Sequence, residues 1–221
     1  MNVTIPFLEQ VIDTECGRLN VLVVESPDLF RSLVEDFYNQ SQGGDGRIVV
    51  SEKGKICQIQ KKVELITQWI PFDVNTKMVL NGINSALEKE ALSARHYEAG
   101  MKLLADVESY IDSLSFDLPC EIVYNKLNLG SLIKMSGLEI QTEGFSLPHK
   151  LYHYMEIVRE LAGDKLFVLV NLRSFISEKN MDQLAETILA HRFHVLLLEP
   201  FICNTFKTEK KIIIDADLCE I

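Results

Sequence analysis

Two uninterrupted apolar runs late in the chain constrain its fold more than any other feature. They are residues 165–171 (KLFVLVN) and 194–200 (HVLLLEP), and residues 178–191 between them have the spacing of an amphipathic helix. Strands without polar alternation are typical of a parallel sheet that is covered on both faces. A strand, a helix and a second strand in this order indicate a right-handed β-α-β unit. We therefore predict an α/β fold with a mainly parallel sheet flanked by helices.

Further elements are expected on either side of this unit. Ser26 followed by Pro27 is a typical helix start, and the turn-rich segment SQGGDG should end that helix. Residues 47–50 and 56–60 predict a hairpin around Glu52-Lys53-Gly54. The remaining expected elements are strands at 19–24, at 63–69 and in the final segment KKIIIDADLCEI, and a helix at 148–161.

Between residues 75 and 114 the apolar spacing becomes helical. The stripe contains Leu80, Ile83, Leu87, Ala94, Tyr97, Met101 and Leu104. One helix of this length would extend about 60 Å, too long for a compact domain of this size, and Gly82 and Gly100 are the positions that could divide it. We predict an α/β body of residues 1–74 and 139–221 and an inserted α-helical arm of residues 75–138. The stripe needs a partner, which is either the second half of the arm or another subunit.

The charge of the chain is uneven. The net charge is -10, yet residues 47–62 carry +4 and residues 204–211 carry +2, so the remainder carries -16. This balance excludes a uniformly basic nucleic-acid binder but permits an acidic protein with a confined basic surface. The 221 residues suffice for a full hydrophobic core.

Cysteine usage and hydropathy indicate a cytoplasmic protein without a membrane anchor. The five cysteines are scattered and form no C-x-x-C pair, which argues against a disulfide framework and a zinc site. No apolar run approaches the roughly 18 residues of a membrane span, and the first ten residues lack a basic segment followed by an apolar one.

Glu199 raises the possibility of a nucleotide-hydrolysing enzyme, because a carboxylate that ends a buried strand can organise a metal. Such an enzyme also needs backbone donors and a lysine around the phosphates. The chain has no G-x-x-x-x-G-K-[ST] motif, since Gly54-Lys55 is followed by Ile56. We therefore interpret Glu199 as a strand-end residue with a structural hydrogen bond, and we expect no bound nucleotide.

Other candidate catalytic and metal-binding groups are also better explained structurally. His149 and His153 have a helical i, i+4 spacing that can hold a metal, but the motif lacks a glutamate after the first histidine. No G-x-S-x-G elbow occurs. Asp106, Glu108 and Asp112 are interpreted as a solvated helix face. No catalytic residue is predicted.

The basic segment is the remaining candidate site. Lys53, Lys55, Lys61 and Lys62 lie within ten residues and could contact phosphates, which would make binding strongly salt-dependent. A lysine-rich sheet edge that discourages aggregation explains the pattern equally well. No aromatic residue is interleaved with these lysines, so any contact is expected to involve the backbone of a duplex rather than stacked bases.

Four motifs together resemble the small adaptation protein of type II-A CRISPR systems, which takes part in spacer acquisition. They are Pro71-Phe72-Asp73-Val74-Asn75, the strand at 165–171 followed by Phe175-Ile176-Ser177-Glu178, the segment 195–200, and Ile214-Asp215-Ala216-Asp217. Their order and spacing match across residues 65–221.

The resemblance implies a degenerate P-loop-ATPase-like body with a long helical arm, assembled into a homotetrameric ring. Members of this family bind the ends of linear double-stranded DNA without sequence preference and thread it through a lysine-lined hole. They work with the CRISPR integrase complex and the RNA-guided nuclease in antiviral defence. By this resemblance Lys53, Lys55, Lys61 and Lys62 are expected to line the hole, and the protein is expected not to be an enzyme. The alternatives are a nucleotide enzyme that uses Glu199 and an oligomeric protein scaffold.

The resemblance also implies calcium binding through a dense acidic run after the arm. In this chain the run is thinned to residues 115–121 (SFDLPCE), and the candidate ligands are Asp112, Asp117 and Glu121. Because calcium takes six to eight oxygen ligands, backbone carbonyls and water would have to complete its shell.

Overall fold

The computed structural model describes residues 1–116, 118–120 and 122–221, and these residues form nine strands and seven α-helices. The strands are β1 (Asn2–Thr4), β2 (Ile12–Asp13), β3 (Leu19–Val24), β4 (Val49–Glu52), β5 (Lys55–Ile56), β6 (Val63–Ile66), β7 (Leu166–Val170), β8 (His194–Glu199) and β9 (Glu209–Ile214). The helices are α1 (Pro27–Ser41), α2 (Ile59–Lys62), α3 (Lys77–Ala91), α4 (Tyr97–Ser115), α5 (Leu129–Met135), α6 (Leu147–Ala162) and α7 (Glu178–Ala190).

The larger sheet has five strands in the order β6-β7-β8-β3-β9, and every neighbouring pair is parallel. Val168 lies opposite Leu196 and Leu22 lies opposite Leu198. All residues of β3 and β7 are buried, as continuous apolar strands covered on both faces require. The predicted α/β fold with a parallel sheet flanked by helices is confirmed.

A smaller antiparallel sheet in the order β2-β1-β4-β5 shares a core with one face of the larger sheet. The core members from α1 are Leu33 and Phe37, which pack together with Val3 and Val50 from the smaller sheet and Val168 from the larger one. Buried side chains also anchor α6, at Leu151, Tyr154, Met155 and Val158, and α7, at Met181, Leu184, Ala185 and Ile188. His149, His153 and Arg159, discussed below, lie on α6, and His191 and Arg192 follow the end of α7.

The chain divides into two compact units. The body unit comprises Met1–Phe72 and Thr142–Ile221, and the arm unit comprises Asp73–Gln141. At the base of the arm unit the Asn75 side chain donates to the Ile140 carbonyl at 3.2 Å and accepts from the Ile140 N–H at 2.7 Å. These paired bonds join the two ends of the inserted segment.

The expected break in the arm at Gly82 or Gly100 is wrong. The helices separate at residues 92–96, so Gly82 lies inside α3 and Gly100 lies inside α4. A Cβ atom at Gly100 would lie 2.7 Å from Leu129 Cδ1 of α5, so this glycine allows a close approach between two elements instead of ending a helix. The arm unit also contains the short helix α5.

Two strands differ from their predicted lengths. The second hairpin strand, expected at 56–60, is only Lys55–Ile56, and Ile59–Lys62 forms the short helix α2 because Ile59 turns into the core. The strand predicted at 63–69 ends at Ile66. Among the described residues no helix is both long and apolar enough to cross a membrane.

The last residues fold back along β9, at one edge of the larger sheet. Ile221 N–H donates to the Ile213 carbonyl at 2.9 Å, and Asp215 N–H donates to the Cys219 carbonyl at 3.0 Å. The Asp215 carboxylate accepts the N–H groups of Asp217 and Cys219, at 3.0 Å and 2.8 Å, which fixes the turn. The outer edge of β9 is therefore covered at its C-terminal end, around Ile213 and Ile214, by the chain itself.

Candidate nucleic-acid interface

The hairpin formed by β4 and β5 places Lys53 at its tip. Glu52 pairs with Lys55, so only Lys53 and Gly54 connect the strands. Both have positive φ angles, 50° and 76°, as the tightest hairpin turns require. Gly54 adopts this conformation without strain, which explains the Lys-Gly sequence at the turn.

Three of the four predicted lysines present free charges to solvent. Lys53, Lys55 and Lys61 are exposed, and their side chains form no ion pair or hydrogen bond within residues 1–116, 118–120 and 122–221. Their ammonium groups can therefore meet phosphates without first breaking a contact. Because β5 is the edge of the smaller sheet, Lys55 also fits the alternative role of a charged strand edge.

Lys62 differs from its neighbour Lys61. Its Nζ donates to Glu52 Oε2 at 3.0 Å and to the Asp164 carbonyl at 3.3 Å. The hydrogen bond from Lys62 is the main reason why the pKa of Glu52 lies below its ordinary value. About two thirds of each side chain in this pair is buried, so Lys62 ties α2 to the hairpin instead of offering a free charge.

A groove of about 680 Å³ in the body unit begins beside Lys53 and contains two arginines that the sequence did not indicate. Arg192 is exposed and directly follows α7. The Arg159 guanidinium lies 4.2 Å from the centre of the Phe193 ring, and its Nη1 donates to the His191 carbonyl at 2.8 Å. Both arginines are more than one hundred residues from Lys53, so no local pattern could have grouped them.

Glu199 lies at the end of β8, where the sequence predicted a structural role. The residue is 2% exposed, and its Oε1 accepts the Arg173 N–H at 3.2 Å. Burial raises the pKa of Glu199 to about 7, although the Arg173 hydrogen bond and charge act in the opposite direction. The Arg173 guanidinium binds the buried Glu209 carboxylate and the Asn204 carbonyl. A buried carboxyl group with a pKa of about 7 gives up its proton less readily than an ordinary glutamate, which weakens it as a metal ligand. Gly54 lies in the hairpin turn and Lys55 begins β5, so this Gly-Lys pair does not form a phosphate loop.

The candidate metal-binding histidines, His149 and His153, lie in ring contacts. His149 and His153 stack on Phe145, with ring centroids 4.3 Å and 5.2 Å apart. His194 Nδ1 lies 2.9 Å from Thr14 Oγ1, and burial lowers the pKa of this imidazole. In the part of the chain that the structure describes, no three His, Cys, Asp or Glu side chains are arranged to hold a metal ion.

Of the predicted calcium ligands, only Asp112 belongs to the described residues; Asp117 and Glu121 lie outside them. Asp112 is exposed on α4, and its Oδ1 accepts the Tyr124 hydroxyl at 2.9 Å. This hydrogen bond raises the pKa of Tyr124. Among the neighbouring acids Asp106 is exposed and Glu108 is half-buried, in line with a largely solvated face. Asp112 supplies a single carboxylate and does not by itself fit a calcium site.

The fold and the interface together define an α/β protein that lacks a phosphate-binding loop and bears a free basic hairpin. Comparison with known families identifies the group to which it belongs. The sequence model of the CRISPR-associated protein (Cas_Csn2) family matches residues 40–218. The chain therefore belongs to the Csn2 family of type II-A CRISPR systems, which confirms the resemblance found in the sequence.

Individual relatives agree with this membership. The chain is 23% identical over 201 residues to CRISPR-associated protein Csn2 of Streptococcus agalactiae, covering 90% of this chain and 89% of the relative. It is 22% identical over 200 residues to CRISPR-associated protein Csn2 of Enterococcus faecalis, covering 90% of each. The crystal structure of Stu0660 of Streptococcus thermophilus superposes with a TM-score of 0.57 at 15% identity, covering 91% of this chain and 69% of that one, so the two share a fold.

Proposed function

We propose that this protein binds the ends of linear double-stranded DNA without sequence preference, as a homotetrameric ring that supports spacer acquisition in the cytoplasm. The observation that carries the proposal is the set of three exposed, unpaired lysines, Lys53, Lys55 and Lys61, on a chain with a net charge of -10. Membership of the Csn2 family supports a role in a type II-A CRISPR system.

The electrostatic argument depends on assembly. A single acidic subunit repels DNA over most of its surface, and three lysines alone provide few phosphate contacts. When the same three lysines from four subunits face a common hole, their charges add while the acidic surfaces point outward. The hole then attracts a duplex through its phosphates alone, which accounts for binding without sequence preference.

The arm unit supports association between copies. Of the residues of α4, only Leu104 is buried, whereas Leu103, Tyr110 and Leu114 are 51%, 64% and 62% exposed. Their spacing of seven and four residues places these three side chains on one helix face. A contiguous apolar face of this kind typically marks a protein-protein contact, and a second copy of the chain is the partner we propose.

We further propose that the protein is not an enzyme and binds no nucleotide. The body would be a degenerate relative of P-loop ATPases, with a parallel sheet but with a buried Glu199 of raised pKa where a readily ionised, metal-organising acid would be needed. Its partners would be the CRISPR integrase complex and the RNA-guided nuclease. Calcium, held by Asp112 with Asp117 and Glu121, would support the ring.

A gel-shift comparison of linear and closed circular DNA of equal length over a salt series tests the threading of DNA ends. We expect retention of the linear form only, with affinity that falls steeply as salt increases. Equal retention of circles would refute threading. The molar mass in solution, measured with and without calcium, provides a separate test, because a protein that is monomeric under both conditions cannot form a ring.

Matched charge variants test the lysines. Lys61→Gln should weaken binding several-fold and lower the salt slope by about 1 for each lost phosphate contact. Lys179→Gln removes an equally exposed charge from α7 and should change neither quantity. A nucleotide enzyme would instead show ATP binding that Glu199→Gln abolishes. A pure scaffold would retain its function when Lys61 and Lys55 are both replaced by glutamate.

A further inference from the structure

Two cavities on the body unit meet at one residue, His191. The first has a volume of about 440 Å³ and lies between α6 and α7, and the second is the groove of about 680 Å³ that begins at Lys53. His191 lines both cavities. Their volumes fall within the range of small-ligand sites in proteins, and the shared residue makes them neighbours with two different linings.

The first cavity, which we call the ring cavity, has the lining that recognises a nucleobase. Its aromatic walls are His149, Tyr152 and His191, and the Tyr152 and His191 rings meet at a centroid distance of 5.0 Å. Asn180 and Gln183 of α7 line the same cavity with side-chain amides. Rings stack on base faces, and amides donate to and accept from base edges.

The second cavity, which we call the cationic groove, has the lining that recognises phosphate. Lys53, Arg159 and Arg192 contribute three positive charges. The aromatic contact of Arg159 with Phe193 leaves its guanidinium charge intact. Arg192 forms no ion pair or side-chain hydrogen bond with any described residue, so it can bind an incoming anion directly.

The groove also contains three carboxylates, and most of their charge is already compensated. Glu52 is paired with Lys62 at 3.0 Å, and Glu15 Oε1 lies 2.6 Å from the Met1 ammonium group. Asp164 is the remaining carboxylate among the groove residues. The three cations therefore exceed the uncompensated acidic charge, and the groove favours an anion.

We propose that these neighbouring cavities bind single-stranded nucleic acid, with a base in the ring cavity and the adjoining phosphates along the cationic groove. A cationic groove beside exposed aromatic faces is the arrangement that proteins use to hold single strands. In a duplex the base faces are already stacked and the base edges already paired, so only an unpaired strand can insert a base between α6 and α7. The site goes beyond the proposed duplex binding and does not depend on ring formation, because every residue in it belongs to the body unit.

The test is fluorescence anisotropy with the full-length protein and a labelled oligo-dT of about 12 nucleotides, within the range of known single-strand sites. We expect Arg192→Ala and the double variant His149→Ala/His191→Ala each to weaken binding about five-fold or more, as the loss of one stacked base or one charged contact predicts. Both variants should lose less affinity for a blunt duplex than for oligo-dT. The matched controls Arg31→Ala on α1 and His96→Ala before α4 should bind like the unmodified protein.

Three outcomes would overturn the proposal. They are an unmodified protein that does not bind oligo-dT, variants that bind it normally, and variants that lose single-strand and blunt-duplex binding to the same extent. Preferential displacement of the oligomer by dTMP would also overturn it, because the site would then serve a free nucleotide. The same measurement with labelled oligo-rU shows whether the preferred strand is RNA or DNA. Loss of duplex threading with retained oligo-dT binding would refute only the proposed function.

Discussion

Replacing Glu199 with glutamine should stabilise the body unit at alkaline pH and leave its stability unchanged in acid. The pKa of Glu199 is about 7 in the folded protein, against an ordinary value of 4.5. Between these two pH values the folded protein retains a proton that the unfolded chain releases, so the free energy of unfolding falls as the pH rises. A pKa difference of about 2.5, at about 1.4 kcal/mol for each pKa unit, amounts to about 3 kcal/mol at pH 8.

Glutamine has nearly the same shape and carries no charge, so it can accept the Arg173 N–H without the cost of burying an anion. The assay is urea unfolding near pH 4.5 and near pH 8, followed by tryptophan fluorescence. Trp69 is the only tryptophan of the chain, and it belongs to the same unit as Glu199. It is 4% exposed and donates to the Val170 carbonyl at 2.7 Å, so its emission will report the loss of the core.

Glu209→Gln is the matched control. Glu209 accepts from the Arg173 guanidinium and, at 3.2 Å, from the Phe206 N–H. Breaking this buried pair should cost about 3 kcal/mol or more at both pH values. If Glu199→Gln shifts stability equally at pH 4.5 and pH 8, or if it lowers stability at pH 8, then folding does not raise the pKa of Glu199 and the argument against a metal-organising role fails.

Two further predictions concern stability. Lys62→Ala should lower the free energy of unfolding by about 1 kcal/mol, because it removes the contacts with Glu52 and the Asp164 carbonyl. Lys61→Ala should change this free energy by less than about 0.5 kcal/mol. Equal effects of the two substitutions in urea unfolding would contradict the distinction between these lysines. Ser177→Ala should lower the free energy of unfolding by about 0.5–1 kcal/mol, because the Ser177 hydroxyl accepts the Asn180 N–H at the start of α7. Ser146 begins α6 without such a hydrogen bond, so Ser146→Ala should leave the thermal unfolding nearly unchanged.

The parallel sheet was predictable because its central strands are buried on both faces. The residues of β3, β7 and β8 therefore had to be almost continuously apolar, and such runs are visible without any knowledge of their neighbours. Apolar patterning does not reveal the shortest elements. Strands β1 and β2 have three and two residues, too few to show an alternation, and α2 is a single helical turn.

Glycine was a misleading guide to the arm. A glycine within a helical pattern can mark a helix end or a close contact, and only the position of Leu129 shows that Gly100 allows a close contact.

The candidate site was likewise only partly predictable from the sequence. The basic segment was visible because its lysines are neighbours in sequence, but the pairing of Lys62 with Glu52 and the grouping of Lys53 with Arg192 depend on the tertiary fold.

The covered edge of β9 limits how this protein can associate with others. An incoming strand would have to displace residues 219–221, which are held against the edge at high local concentration by the short turn at Asp215. Recruitment of a partner by strand addition is therefore disfavoured on this side. Truncation of these three residues would expose unpaired backbone groups at Ile213 and Asp215 and leave this end of the edge open to pairing with another chain.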